Sequence, residues 1–135
     1  MKKSYVNCYD YGMETPTEGP SFWALKQIAR DSKVLEFGPS TGRLTKAIQQ
    51  LLKCTVDIVE IDEVSGRNAK KYANRALIGK RDGDIDKMRW LKQLSRERYD
   101  TILFIDVLEH LRDPQAAILA AKRLLKQDGA ILASI

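Results

Sequence analysis

Glu36 sits near the end of an apolar run, Lys33-Val34-Leu35-Glu36-Phe37, and Gly38-Pro39-Ser40-Thr41-Gly42 follows directly. A carboxylate in that place can accept hydrogen bonds from an ammonium group. Gly38 permits a sharp turn and lets the backbone approach a ligand where a Cβ would collide. Gly42 opens the next element without a side chain in the way, and the N–H groups of a helix start suit an anion or a carboxylate. Glu60 ends a second run, Thr55-Val56-Asp57-Ile58-Val59-Glu60-Ile61. A carboxylate about 20 residues beyond a glycine loop is placed to accept from two ribose hydroxyls, with Ile61 beside it. Asp62 falls past the run and reads instead as the cap of the next helix. Asp84 and Ile85 follow a third turn at Gly83, and Asp106-Val107-Leu108 follow the run Thr101–Ile105. His110 is the only histidine. An imidazole titrates near neutral pH and can take the proton of an acceptor hydroxyl. The competing reading, a structural histidine bonded to a loop carbonyl, stays open. Glu109, His110 and Asp113 are too close along one turn to converge on a metal ion, and no metal is expected.

These residues all follow apolar runs, so the elements that must position them are strands of one sheet. Strands are expected over Lys33–Phe37, Thr55–Ile61, Arg75–Ile78, Thr101–Ile105 and Ala130–Ile135. Helices are expected between them. One covers Phe22–Ala29, with Phe22, Leu25 and Ile28 on one face. The next, Arg43–Leu52, carries a Leu44, Ile48, Leu51, Leu52 stripe, and a polar one runs over Glu63–Ala73. Asp86–Arg96 turns Met88, Leu91 and Leu94 inward. The last helix starts at Pro114, buries Ile118, Leu119, Leu124 and Leu125, and is closed by Asp128-Gly129. Strand and helix alternating at this pace imply βαβ crossovers and an open α/β sheet, mostly parallel, with helices on both faces. Ligands of such sheets bind outside the carboxyl ends of the strands. The first twenty residues, rich in Tyr, Gly, Pro and Thr, read as an arm or lid, with 21–135 as the domain proper.

The stretch Glu36-Phe37-Gly38-Pro39-Ser40-Thr41-Gly42 resembles motif I of the class I S-adenosylmethionine-dependent methyltransferases, with Ser40 where the motif's middle glycine stands. The dinucleotide pattern Gly-x-Gly-x-x-Gly does not fit, because Ser40 and Arg43 occupy its second and third glycine places. Gly83-Asp84-Ile85 is similar to the family's Gly-Asp step, and Asp106-Val107-Leu108-Glu109-His110-Leu111 to its post-strand-four segment. The resemblance spans Val34 to Ile135 and is nearest to the small-molecule methyltransferases of the type 11 and type 12 kind. It implies a Rossmann-like sheet of strand order 3-2-1-4-5 and S-adenosylmethionine as cofactor, leaving S-adenosylhomocysteine as product. It also implies that Glu60 holds the ribose, that Asp84 and Ile85 hold the adenine, and that Asp106 to Leu108 line the methionine end. The family's strands 6 and 7 are absent, so the expectation is a domain truncated after its fifth strand, with an exposed edge there that invites a homodimer.

Composition bounds the rest. With 135 residues, 44% hydrophobic and 30% charged, this is one soluble-type core. No apolar run approaches the ~20 residues that span a bilayer, and a cytoplasmic location is the expectation. Cys8 and Cys54 lack metal-type spacing and read as free thiols. The net charge of +5 comes from scattered bases that alternate with acids, which disfavours a nucleic-acid face. No nucleophilic Ser or Cys motif and no phosphate-binding Lys loop is present, which argues against hydrolases and kinases. The Asn-Pro-Pro-Tyr motif of amide and base nitrogen methylation is likewise absent after the fourth strand. The leading expectation is methyl transfer to a small-molecule acceptor. An RNA or protein methyltransferase and a non-catalytic cofactor-binding module are the alternatives.

Overall fold

The computed structural model describes residues 14–135; the expected arm, with its tyrosines and Cys8, lies largely outside them. The elements, in chain order, are α1 (Gly19–Gln27), β1 (Lys33–Phe37), α2 (Arg43–Leu51), β2 (Thr55–Glu60), α3 (Glu63–Ala69), β3 (Arg75–Ile78), α4 (Gly79–Asp82), α5 (Arg89–Gln93), β4 (Tyr99–Ile105), α6 (Pro114–Lys122) and β5 (Leu125–Ser134). The five strands form one sheet of order β3-β2-β1-β4-β5, and every neighbouring pair is parallel. The sheet order is the expected one.

Strand alternation splits the core into two layers. Leu35, Phe37, Ile102 and Phe104 face α5 and α6 and pack with Trp90, Leu94, Ala117 and Ala121. Phe37 stacks on Phe104 at 4.5 Å between ring centroids and meets Trp90 edge-on at 4.7 Å. Val34, Val56, Ile58 and Leu103 face the other way, toward Ala24, Ile28, Leu44 and Ile48. Cys54, buried just before β2, lies 3.2 Å from the carbonyl of Ala29. Buried Asp57 accepts from the Tyr99 hydroxyl at 2.6 Å, which satisfies a carboxylate in the sheet interior at the end away from the strand tips.

Several expected elements differ in extent. The first helix begins at Gly19 rather than Phe22, and only Ala24 within it is fully buried. The polar helix stops at Ala69 and tightens into a 3-10 turn, Lys70–Tyr72. The segment expected as one helix from Asp86 breaks at Met88, whose φ of 56° is left-handed; a 3-10 turn (Ile85–Lys87) precedes it and α5 follows. Trp90, not Met88 or Leu91, is its fully buried residue alongside Leu94. In α6 the small residues Ala117, Ala120 and Ala121 face the sheet, while Leu119 is exposed. Asp128-Gly129 does not close α6, which ends at Lys122. It lies inside β5, where Tyr99 pairs with Leu125 and Thr101 with Ala130, so the strand bulges. The strand expected over Ala130–Ile135 begins earlier, at Leu125; it is the expected edge, and its residues are half-buried or exposed.

Candidate functional site

At the carboxyl ends of β1, β2 and β4 the loops enclose a cavity of about 530 Å³, within the roughly 300–1,000 Å³ range of small-molecule sites. Its walls include nine of the expected residues: Gly38, Ser40, Glu60, Ile61, Asp84, Ile85, Asp106, Val107 and His110. Val59, Asp62, Ser65, Gly83, Asp86, Ile105, Leu111 and Arg112 complete it.

The loop after β1 is built from left-handed residues: Gly38 (φ 62°), Ser40 (φ 55°) and Gly42 (φ 90°). A Cβ on Gly38 would lie 2.6 Å from Val107 Cγ2, and one on Gly42 2.6 Å from Ala69 Cα. The two glycines thus allow the loop to seat between the Val107 turn and α3. Gly42 precedes α2, and no side chain caps that helix start.

Glu60 is buried at the end of β2. Its Oε1 accepts from the Ser40 N–H at 2.8 Å and its Oε2 from the Asp62 N–H at 3.0 Å. Burial raises its pKa, against the pull of these N–H donors. An ionised carboxylate has about four acceptor positions. These two N–H groups, with a smaller contribution from the Ile61 N–H, orient the carboxylate and leave acceptor capacity for a ligand. Asp62 accepts from the Ser65 N–H at 2.8 Å and caps α3, as expected, and this bond holds its carboxyl below the usual range.

Asp84 accepts from the Asp86 N–H at 3.0 Å. The adjacent Ile85 is held by its carbonyl, which accepts from the Trp90 indole at 2.9 Å. Asp86 in turn accepts from the N–H groups of Arg112 (3.0 Å) and Asp113 (3.3 Å), tying the segment after β3 to that after β4. Asp106 is left-handed (φ 56°); its N–H donates to Ser134 Oγ at 3.0 Å, and the Ser134 hydroxyl donates back to Asp106 Oδ1 at 3.1 Å. His110 ends a 3-10 turn, Leu108–His110, and is exposed at the cavity wall. Among the described residues its imidazole makes no hydrogen bond, so no loop carbonyl holds it.

The structure does not bring Glu36, Pro39, Thr41, Gly42 and Leu108 to the cavity wall. Glu36 shares the face of β1 that carries Val34, and its Oε1 accepts from the Thr45 hydroxyl of α2 at 2.6 Å. Burial pushes its carboxyl up to about 7, with the nearby Glu60 charge adding to the rise. Leu108 is buried with the core. Asp86 and Arg112 were not legible in the sequence, because they meet across a 26-residue separation through backbone donors.

A parallel 3-2-1-4-5 sheet with its cavity at the strand tips matches the Rossmann-like methyltransferase fold. The family model described as a methyltransferase domain matches residues 17–135, and the chain belongs to that family. Among solved structures it is similar to a TehB-like SAM-dependent methyltransferase from Corynebacterium glutamicum (TM-score 0.68, 21% identity, 96% of this chain and 68% of that one). It is also similar to the CcbJ methyltransferase from Streptomyces caelestis (0.68, 21%, 94% and 53%). A third is a SAM-dependent methyltransferase from Geobacter sulfurreducens in complex with S-adenosyl-L-homocysteine (0.66, 13%, 98% and 54%). At these identities the likeness is one of fold. The chain spans about half the length of the first solved relatives it matches, 47%, 60% and 39%. No curated protein matches it. Among the described residues no helix is long and apolar enough to cross a membrane.

Proposed function

We propose that this chain binds S-adenosylmethionine in the strand-tip cavity and serves methyl transfer to a small-molecule acceptor. The observation that carries this reading is Glu60: a buried carboxylate at the cavity wall, with both oxygens oriented by backbone N–H groups and acceptor capacity remaining for a diol. Asp84 has one oxygen engaged by Asp86 and the other available to an exocyclic amino group, while the apolar side of Ile85 lines the wall for a ring. Asp106 and Val107 line the cavity where the resemblance puts the methionine end. Glu36 is turned to Thr45 of α2 and away from the cavity, which leaves Asp106 as the carboxylate at that end to meet a ligand ammonium group.

The bound sulfonium supplies an activated methyl group open to in-line attack. The chain's own part is to hold donor and nucleophile at near-attack distance, a source of rate that needs no covalent catalyst. His110, Leu111 and Arg112 line the same cavity, and the imidazole of His110 would serve as the base that takes the acceptor's proton.

The test is calorimetric titration with S-adenosylmethionine and S-adenosylhomocysteine, followed by transfer of a labelled methyl group to a panel of small hydroxyl and amine acceptors. Saturable binding supports the reading, and a folded chain that binds neither refutes it. On an active acceptor, His110→Ala is expected to lower kcat by roughly 10²-fold while leaving cofactor affinity unchanged. An unchanged kcat removes the base assignment.

A further inference from the structure

Ser134 belongs to the edge strand β5, in register with Ile105, the last residue of β4. Its side chain reaches across to the next residue, Asp106. The hydroxyl is used twice on this one neighbour: it accepts from the Asp106 N–H at 3.0 Å and donates to Asp106 Oδ1 at 3.1 Å. Asp106 needs such support. Its φ of 56° is in the left-handed region, which a non-glycine residue adopts at a cost and holds where the surroundings determine it. An aspartate tolerates that conformation better than most residues, but tolerance does not select it.

What Ser134 holds has consequences one residue further on. Asp106 is the point at which the chain leaves the sheet and enters the cavity wall. The following Val107 packs against Gly38, at the place a glycine Cβ would occupy. The loop after β1 and the loop after β4 therefore meet at Val107, and the direction in which Val107 arrives is fixed at Asp106. A polar clamp from a third strand sets that direction.

We propose that Ser134 is a positioning residue for the cavity: its hydroxyl locks Asp106 in the left-handed conformation and thereby sets the wall that receives the amino-acid end of the ligand. The proposal rests on the reading of the cavity given above for which end of the ligand lies there, though the clamp itself does not.

The test uses Ser134→Ala and the conservative Ser134→Thr, which keeps a hydroxyl. Amide hydrogen exchange is measured without ligand, and affinity is measured for two ligands. One is S-adenosylhomocysteine; the other is methylthioadenosine, which has the same nucleoside but no amino-acid end. In Ser134→Ala the Asp106 amide should exchange faster while core amides of β1 and β4 keep their protection. Affinity for S-adenosylhomocysteine should fall about 5–10-fold with methylthioadenosine unchanged, and Ser134→Thr should restore the parent values. A merely structural role would weaken both ligands together and lower the protection of the core. Unchanged Asp106 exchange, equal loss for both ligands, or no loss for either overturns the proposal. A parent chain that binds neither ligand overturns the cavity reading and this ligand assignment together, and the exchange result then stands or falls on the clamp alone.

Discussion

Glu36 shows how a residue can be legible by type and not by destination. Its place at the end of a strand before a glycine loop marks it for a ligand, yet strand alternation puts it on the face that meets α2, where it accepts from Thr45. Glu60 and Asp84, which do reach the cavity wall, stand at the last residue of β2 and in the segment that follows β3 and α4. Burial raises the Glu36 carboxyl from an ordinary 4.5 to about 7. An acid whose pKa is higher in the folded chain favours the fold most when protonated. Stability from this group is therefore fully present below about pH 4.5 and is lost as pH rises through 7. The loss amounts to about 3 kcal/mol at its upper limit, by the conversion of pKa to free energy. Urea unfolding of the ligand-free chain between pH 4.5 and 8 should show this decline, and Glu36→Gln should flatten it, leaving the variant more stable than the parent above pH 7. A parent curve that rises over the same interval contradicts the assignment.

At the scale of elements, β1, α2, β2 and β3 were legible nearly to the residue, because their apolar runs are bounded by glycine or polar turns. The failures have a common physical cause. Asp128-Gly129 has the sequence of a helix stop, but the bulge in β5 uses it instead, and the turn after α6 is made at Arg123-Leu124. Likewise a period of three read through Met88 to Leu94 misses that Met88 leaves helical conformation, which places Trp90 in the core. That tryptophan does more than fill space: its indole N–H satisfies the Ile85 carbonyl and so fixes the strand-tip segment that lines the cavity. Trp90→Phe retains most of the ring packing and leaves that carbonyl with the Met88 N–H, at 3.1 Å, as its remaining donor. The expected cost is about 0.5–1.5 kcal/mol in chemical unfolding, the usual net contribution of one hydrogen bond. Binding at the Asp84-Ile85 wall should weaken with it. A variant as stable as the parent would mean that the Met88 N–H alone satisfies the carbonyl.

For the whole molecule, the open parallel α/β class was legible from the alternation of strand and helix, while the strand order was what the family resemblance implied. The exposed edge expected at the fifth strand is present: β5 pairs on one side only, with β4. Ile131 and Leu132 are half-buried there, and an edge with apolar side chains is a template for another strand. Association of the 135-residue chain should therefore rise with concentration in light scattering, and a constant monomer mass across concentrations contradicts it. The central claim rests at the opposite side of β1, on the ribose-holding carboxylate. Its most direct test is calorimetric titration of S-adenosylhomocysteine into the parent chain and into Glu60→Gln, with circular dichroism to establish that both are folded. The account predicts saturable one-to-one binding by the parent and a roughly 10–100-fold weaker affinity in the variant, as expected for hydrogen bonds to a charged acceptor. Equal affinity in the two folded proteins would contradict it.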